Sequence, residues 1–214
     1  MYATLQKESS RSCLRAVAEG SFFVIPAAVV RRERLLPGQE LDEEAFCRLK
    51  SVCEQEDCYD RALRLLGARE HTRFELCAKL RARGFGSEVI APVMDRLEAE
   101  GSLDEVRFCL DFTESRLRKH PEGRSLMEKR LAARGAGKEA VRQALDAVYT
   151  PDGAVEIAAR ALEGILTATP DQDSARQAFA RAGFPLWQFE SAKELVEEWS
   201  QAPEVGQALT RNGV

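Results

Sequence analysis

The chain has 214 residues, 44% hydrophobic and 31% charged, with 31 Lys and Arg against 35 Asp and Glu. That composition excludes a disordered chain and supplies enough apolar material for one or two compact units or a modular array. The longest uninterrupted apolar run, Phe22 to Val30, is nine residues and contains Pro26, far short of the roughly 20 that a membrane helix needs, so no membrane span is expected.

The same run does not make a secretory signal. Glu8 and Glu19 interrupt the basic segment before it, and Arg31-Arg32-Glu33 stands where small cleavage-site residues belong. A cytoplasmic chain is expected, with Cys13, Cys47, Cys53, Cys58, Cys77 and Cys109 as reduced thiols. Cys47, Cys53 and Cys58 lack a C-x-x-C pair and the only histidines are His71 and His120, so neither a metal site nor a cofactor is expected.

In residues 1–57, Leu14 to Val17 and Ser21 to Ile25 predict two short strands joined by a turn at Glu19-Gly20. Pro37-Gly38 marks a further turn. Asp42 caps a helix predicted to run to about Cys53, with Phe46, Leu49 and Cys53 on its inward face. This segment reads as a small α+β extension.

From Asp57 onward the pattern is helical and punctuated by glycine. Leu63 and Leu66, Leu76 and Leu80, then Ile90, Met94 and Leu97 recur at helical spacing. Thr72 and Glu75 have capping-box spacing, in which the Thr72 hydroxyl accepts from the Glu75 amide. Gly84 and Gly101 follow helices where a left-handed residue closes the last turn. Setting Gly84 over Gly135, an offset of 51, aligns Leu76 with Met127, Leu80 with Leu131, Ile90 with Val141 and Met94 with Leu145. Setting it over Gly183, an offset of 99, aligns Leu80 with Phe179, Phe85 with Phe184 and Ile90 with Phe189. The prediction is a mainly α protein of three tandem three-helix repeats, an elongated curved array over residues 58–102, 103–150 and 151–200 with a tail at 201–214.

Charge is unevenly placed along this array. Residues 1–57 carry a net −2, residues 58–149 a net +3 and residues 150–214 a net −5. Between 116 and 142, nine basic residues (Arg116, Arg118, Lys119, Arg124, Lys129, Arg130, Arg134, Lys138 and Arg142) face only Glu122, Glu128 and Glu139. An isolated basic run is ordinarily a solvated helix face, but an excess of six positive charges tilts this one toward a partner surface.

Arg69-Glu70-His71-Thr72-Arg73-Phe74-Glu75-Leu76-Cys77-Ala78-Lys79-Leu80, followed by Arg83-Gly84-Phe85, resembles the first-repeat run of the RecX family of recombinase regulators. Gly101-Ser102-Leu103-Asp104-Glu105-Val106-Arg107-Phe108 is similar to that family's junction into the second repeat. The resemblance covers about Tyr59 to Trp199, and its motif positions here are Thr72, Glu75, Leu76, Leu80, Gly84, Asp104, Phe108, Leu131, Gly135 and Gly183. Two departures stand in the second repeat: Arg124 follows Gly123 where members commonly carry proline, and Arg130 replaces a glutamate.

The resemblance implies a curved rod lying in the groove of a RecA filament on single-stranded DNA, acting as an inhibitor of its ATP hydrolysis, strand exchange and co-protease activity. It would thereby regulate DNA repair and the SOS response. A monomer is expected, with at most weak direct contact to single- or double-stranded DNA. On that reading the basic stripe follows an acidic groove or the DNA phosphates, and replacing Arg124, Lys129, Arg130 and Arg134 by Glu abolishes inhibition with helicity intact. The alternatives are an autonomous DNA-binding helical module, against which the net charge of −4 argues, and a scaffold for an unrelated partner.

Nothing in the chain reads as catalytic. His71 precedes the Thr72 cap and has no nucleophile to activate. Glu75 is explained by capping and Asp104 with Glu105 by a helix N-terminus, while Gly84-Phe85-Gly86 lacks the lysine and hydroxyl of a phosphate loop. Phe184, Trp187 and Phe189, at helical intervals, are expected in the core.

Overall fold

The computed structural model describes residues 3–7, 13–18, 21–169 and 171–201. Two units separate within it, Met1–Leu103 and Asp104–Val214, each with its own apolar interior.

The N-terminal unit opens with four antiparallel strands, β1 (Ala3–Lys7), β2 (Leu14–Ala18), β3 (Ser21–Ile25) and β4 (Glu40–Leu41), in the order β3-β2-β1-β4. The two predicted strands are β2 and β3, registered with Leu14 opposite Ile25 and Ala18 opposite Ser21. The turn assigned to Glu19-Gly20 lies outside the described residues. β1 escaped prediction because only Ala3 and Leu5 face inward while Thr4, Gln6 and Lys7 are exposed, and β4 is two residues long. Pro26 divides the apolar run: β3 ends before it, and α1 (Ala27–Arg32) starts after it, where a missing N–H costs nothing.

Asp42 starts the next helix, its Oδ1 accepting from the Ala45 N–H at 2.8 Å. That helix, α2 (Glu43–Leu66), does not end near Cys53 as the sequence suggested. No glycine or proline occurs between Asp42 and Gly67, so nothing halts it for 24 residues, and the expected division after residue 57 falls inside it. Its first half gives Leu49 and Cys53 to a core shared with Leu5, Ala16 and Ile25 of the sheet. Its second half gives Cys58 and Ala62 to a core with α3 (Arg73–Arg81) and α4 (Ser87–Ala99), where Leu76, Leu80, Ile90, Met94 and Leu97 meet.

The C-terminal unit contains α5 (Glu105–Lys119), α6 (Arg124–Ala133), α7 (Lys138–Val148), α8 (Pro151–Ala168), α9 (Gln172–Arg181) and α10 (Gln188–Gln201) around one apolar core. Phe179 anchors its far part, stacked on Phe184 at 4.7 Å and edge-on to Phe189 at 5.4 Å. Trp187 is not in this core. It stands 75% exposed, because residues 184–187 form the turn before α10 and the helical spacing assumed for them does not apply.

The chain is thus mainly helical, with ten helices and a small N-terminal sheet among the described residues. Helix triplets α2–α4, α5–α7 and α8–α10 superpose in sequence as the offsets require. Gly84, Gly135 and Gly183 all adopt positive φ, at +92°, +75° and +92°. Leu80, Leu131 and Phe179 are each fully buried, and so nearly are Ile90, Val141 and Phe189. Leu80→Ala and Leu131→Ala are each expected to cost about 2–5 kcal/mol in urea unfolding. A cost below about 1 kcal/mol at either position would mean the two leucines are not equivalent core residues.

Candidate partner-binding surface

The nine basic residues of the stripe divide sharply by what they touch. Arg116 and Arg130 close on one carboxylate. Glu122 is buried, its Oε1 accepting from Arg116 Nε at 3.0 Å and from Arg130 Nη2 at 3.1 Å, with Arg130 Nε on Oε2. Burial pushes the Glu122 carboxyl up, but the hydrogen bonds and charges of both guanidiniums outweigh it and hold the group below the ordinary carboxylate range. The backbone joins in: Tyr149 Oη donates to the Glu122 carbonyl at 2.8 Å, and burial raises that phenol above its usual pKa.

Arg124 and Arg142 are occupied as well. Arg124 Nη2 reaches Asp146 Oδ1 at 2.6 Å, and Arg142 Nη1 reaches Oδ2 of the same residue at 3.2 Å. Arg142 also pairs with Glu139 at 2.6 Å, which with a hydrogen bond from Gln143 holds the Glu139 carboxyl down to about 2. Arg134 lays its guanidinium over the Phe112 ring, 4.5 Å from the centroid.

Arg118, Lys119, Lys129 and Lys138 remain. All four are exposed, and none forms an ion pair with any described residue. They are not one tight cluster. Glu105 Oε2 accepts from the Gly137 N–H at 2.9 Å, which puts the start of α7, and so Lys138, beside the start of α5. Arg118 and Lys119 occupy the opposite end of α5, about 20 Å away at 1.5 Å per residue. The free cations therefore mark the two ends of one helix, with Lys129 on α6.

The motif residues of the first repeat are architectural. Thr72 Oγ1 accepts from the Glu75 N–H at 3.0 Å, and Arg69 Nη2 reaches the Glu75 carboxylate at 2.8 Å. His71 is buried, with Nδ1 2.9 Å from the Arg69 carbonyl oxygen and Nε2 2.7 Å from Lys79 Nζ. A carbonyl only accepts and an ammonium only donates, so the ring is the neutral tautomer with its proton on Nδ1. Burial lowers its pKa in keeping with that state. His71 and Lys79 stand 51 residues before Glu122 and Arg130, so the two repeats hold a polar pair at the same place with different chemistry. Sequence alone gave no sign of this, because neither pair resembles the other in residue type. Asp104 caps α5, its Oδ1 accepting from Val106 at 2.9 Å and Arg107 at 3.1 Å, and Phe108 is buried behind it.

Both departures from the family pattern fit this geometry. Arg124 occupies the first helical position of α6, which tolerates proline only because its N–H needs no helical partner, so arginine starts the helix equally well. Arg130 is one of the two guanidiniums that neutralise Glu122. Among the described residues no group of three or more His, Cys, Asp or Glu could hold a metal ion, and no helix is long and apolar enough to cross a membrane.

Repeated three-helix modules, with internal clamps and exposed cations on the second, define a helical-repeat protein. Comparison with known proteins gives that class a name. Residues 58–97 match the family model described as RecX, first three-helix domain. The regulatory protein RecX of Chlorobaculum tepidum is 37% identical over 113 residues, which is 53% of this chain and 70% of that protein. The regulatory protein RecX of Pseudomonas putida strain GB-1 is 42% identical over 84 residues, 39% of this chain and 53% of that one. A crystal structure of regulatory protein RecX has the same fold, with a TM-score of 0.77 at 20% identity over 90% of this chain and all of that one. That of RecX from Lactobacillus salivarius gives 0.60 at 18% identity over 67% and 97%. The chain belongs to the RecX family of regulatory proteins.

Proposed function

We propose that the chain is a cytoplasmic, monomeric, non-catalytic regulator that binds along a RecA filament on single-stranded DNA and limits its ATP hydrolysis, strand exchange and co-protease activity. Family membership supports the regulatory part. The observation that carries the binding mode is the division of the stripe: five of its nine cations are engaged within the protein, and the four that are not stand exposed across about 20 Å of the second repeat. Exposed cations spread over that distance suit an acidic groove or a line of phosphates, whose counterions they would displace. A protein of net charge −4 is poorly suited to hold DNA alone, which favours a nucleoprotein target over naked DNA.

The substitution set suggested by sequence has to change. Arg130→Glu would set a carboxylate against buried Glu122, and Arg124→Glu would face Asp146, so loss of activity in either would report folding. The fourfold change of Arg118, Lys119, Lys129 and Lys138 to Glu removes the free cations alone. Binding to the filament, followed by anisotropy of labelled protein, is expected to weaken at least tenfold, and log Kd is expected to depend less steeply on log salt. Unchanged affinity and slope would remove these residues from the interface.

A further inference from the structure

The C-terminal unit has a second surface, lined by none of the four free cations. A groove of about 690 Å³ opens between the start of α6, the junction of α7 and α8, and the turn before α10. Its wall is apolar, formed chiefly by Tyr149, Pro151, Val155, Phe184 and Pro185, with Trp187 on the rim. Leu186 beside it is 58% exposed, so two large apolar side chains stand in water at adjacent positions. An apolar surface kept in water beside a concavity is typical of a contact site, and tryptophan is among the residues that most often dominate such contacts.

The groove is built rather than accidental. The Gly123 N–H donates to the Ala182 carbonyl at 2.8 Å and Ser125 Oγ donates to the Gly183 carbonyl at 2.9 Å, which ties the start of α6 to the turn that carries Trp187. Tyr149 is held by its bond to the Glu122 carbonyl. A site whose walls are fixed in advance loses little freedom on binding.

Charge selects the occupant. Two charged side chains line the groove, Arg124 and Glu128. Arg124 is neutralised by Asp146, whereas Glu128 pairs with no described residue. The uncompensated charge is therefore negative, which repels a phosphodiester and attracts an ammonium or guanidinium. The face of Trp187 adds a second attraction for a cation.

We propose that this groove docks a polypeptide segment of the protein partner in which an aliphatic or aromatic side chain lies beside a lysine or arginine. The proposal rests on the reading that the chain binds a recombinase filament and assigns it a second, apolar contact distinct from the four free cations. Two exposed substitutions test it in the full chain, Trp187→Ala and Glu128→Lys, with binding to RecA filaments on single-stranded DNA measured at two salt concentrations and far-UV circular dichroism as the folding check. Trp187→Ala is expected to weaken binding at least tenfold while leaving the slope of log Kd against log salt unchanged, unlike loss of the free cations. Glu128→Lys is expected to weaken binding at least threefold at the lower salt.

Filament binding by Trp187→Ala within twofold of the unaltered chain would overturn the groove and leave the filament reading standing. Tighter binding by Glu128→Lys would overturn it too, since a negatively charged occupant, nucleic acid included, gains from that change. Failure of the unaltered chain to bind filaments would overturn both readings together.

Discussion

Gly183→Ala is expected to destabilise the C-terminal unit by about 3 kcal/mol or more, whereas Gly84→Ala costs the N-terminal unit only about 1 kcal/mol. The two glycines hold equivalent places in their repeats and the same φ of +92°, so the cost of placing an L-residue in the left-handed region is common to both. They differ in surroundings. A Cβ on Gly84 meets nothing within 4 Å, but one on Gly183 would lie 2.6 Å from Leu126 Cβ and 3.0 Å from the Leu126 backbone nitrogen. Backbone cannot swing aside, so the turn carrying Trp187 and the start of α6 must separate. Gly123 closes the same contact from the other side, since its Cβ would sit 2.0 Å from the Gly183 carbonyl oxygen. Urea unfolding of the two variants checks the difference directly. Equal costs would mean that the Gly183 turn and the start of α6 do not touch.

Arg130→Glu is expected to cost about 3 kcal/mol, against less than about 0.5 kcal/mol for Lys129→Glu one residue earlier. Glu122 has been taken out of water, its side chain only 8% exposed, on the strength of two guanidiniums. Removing one leaves the carboxylate half-compensated, and reversing the charge adds repulsion. Because Arg116 and Arg130 are themselves about a third exposed, solvent screens part of the interaction, and the figure sits at the low end for a buried pair. Acid tests the same clamp. The Glu122 carboxyl is held below its ordinary value in the folded protein, so its contribution is complete above about pH 4.3, the unfolded value, and disappears as the pH falls through the lower folded value. The Arg130→Glu variant should lack that part of the acid transition. Matching costs for Arg130→Glu and Lys129→Glu, measured at pH 7, would show that the clamp contributes nothing.

The repeat architecture was legible because it rests on local, directional signals. A glycine at the end of a helix and apolar residues three or four apart mean the same thing in any chain, and Gly84, Gly135 and Gly183 sit where their spacing places them. The sheet was half legible: β3 is rich in aromatic and β-branched residues and β2 buries Leu14, Ala16 and Ala18, but β1 takes its stability from pairing with β2 rather than from its own pattern. The end of the helix begun by Asp42 was misplaced, because apolar spacing fades where α2 passes from one core to the next while helix-forming residues continue.

The surface was the least legible part, for a physical reason. Composition counts cations but does not show which are already matched, and Arg116 and Arg130 look no different in sequence from Lys129. Only packing reveals that Glu122 lies between them. Trp187 failed in the opposite direction, since an aromatic residue near Phe184 and Phe189 suggests core until the turn at 184–187 breaks the helical register.

The most direct test of the account is the initial rate of ATP hydrolysis by the host RecA on single-stranded DNA, measured with substoichiometric amounts of this protein at two salt concentrations. Suppression that weakens at the higher salt, and that disappears when Arg118, Lys119, Lys129 and Lys138 are all changed to Glu, is the predicted result. An unchanged rate with folded protein and active recombinase, or suppression that survives the fourfold change undiminished, would contradict it.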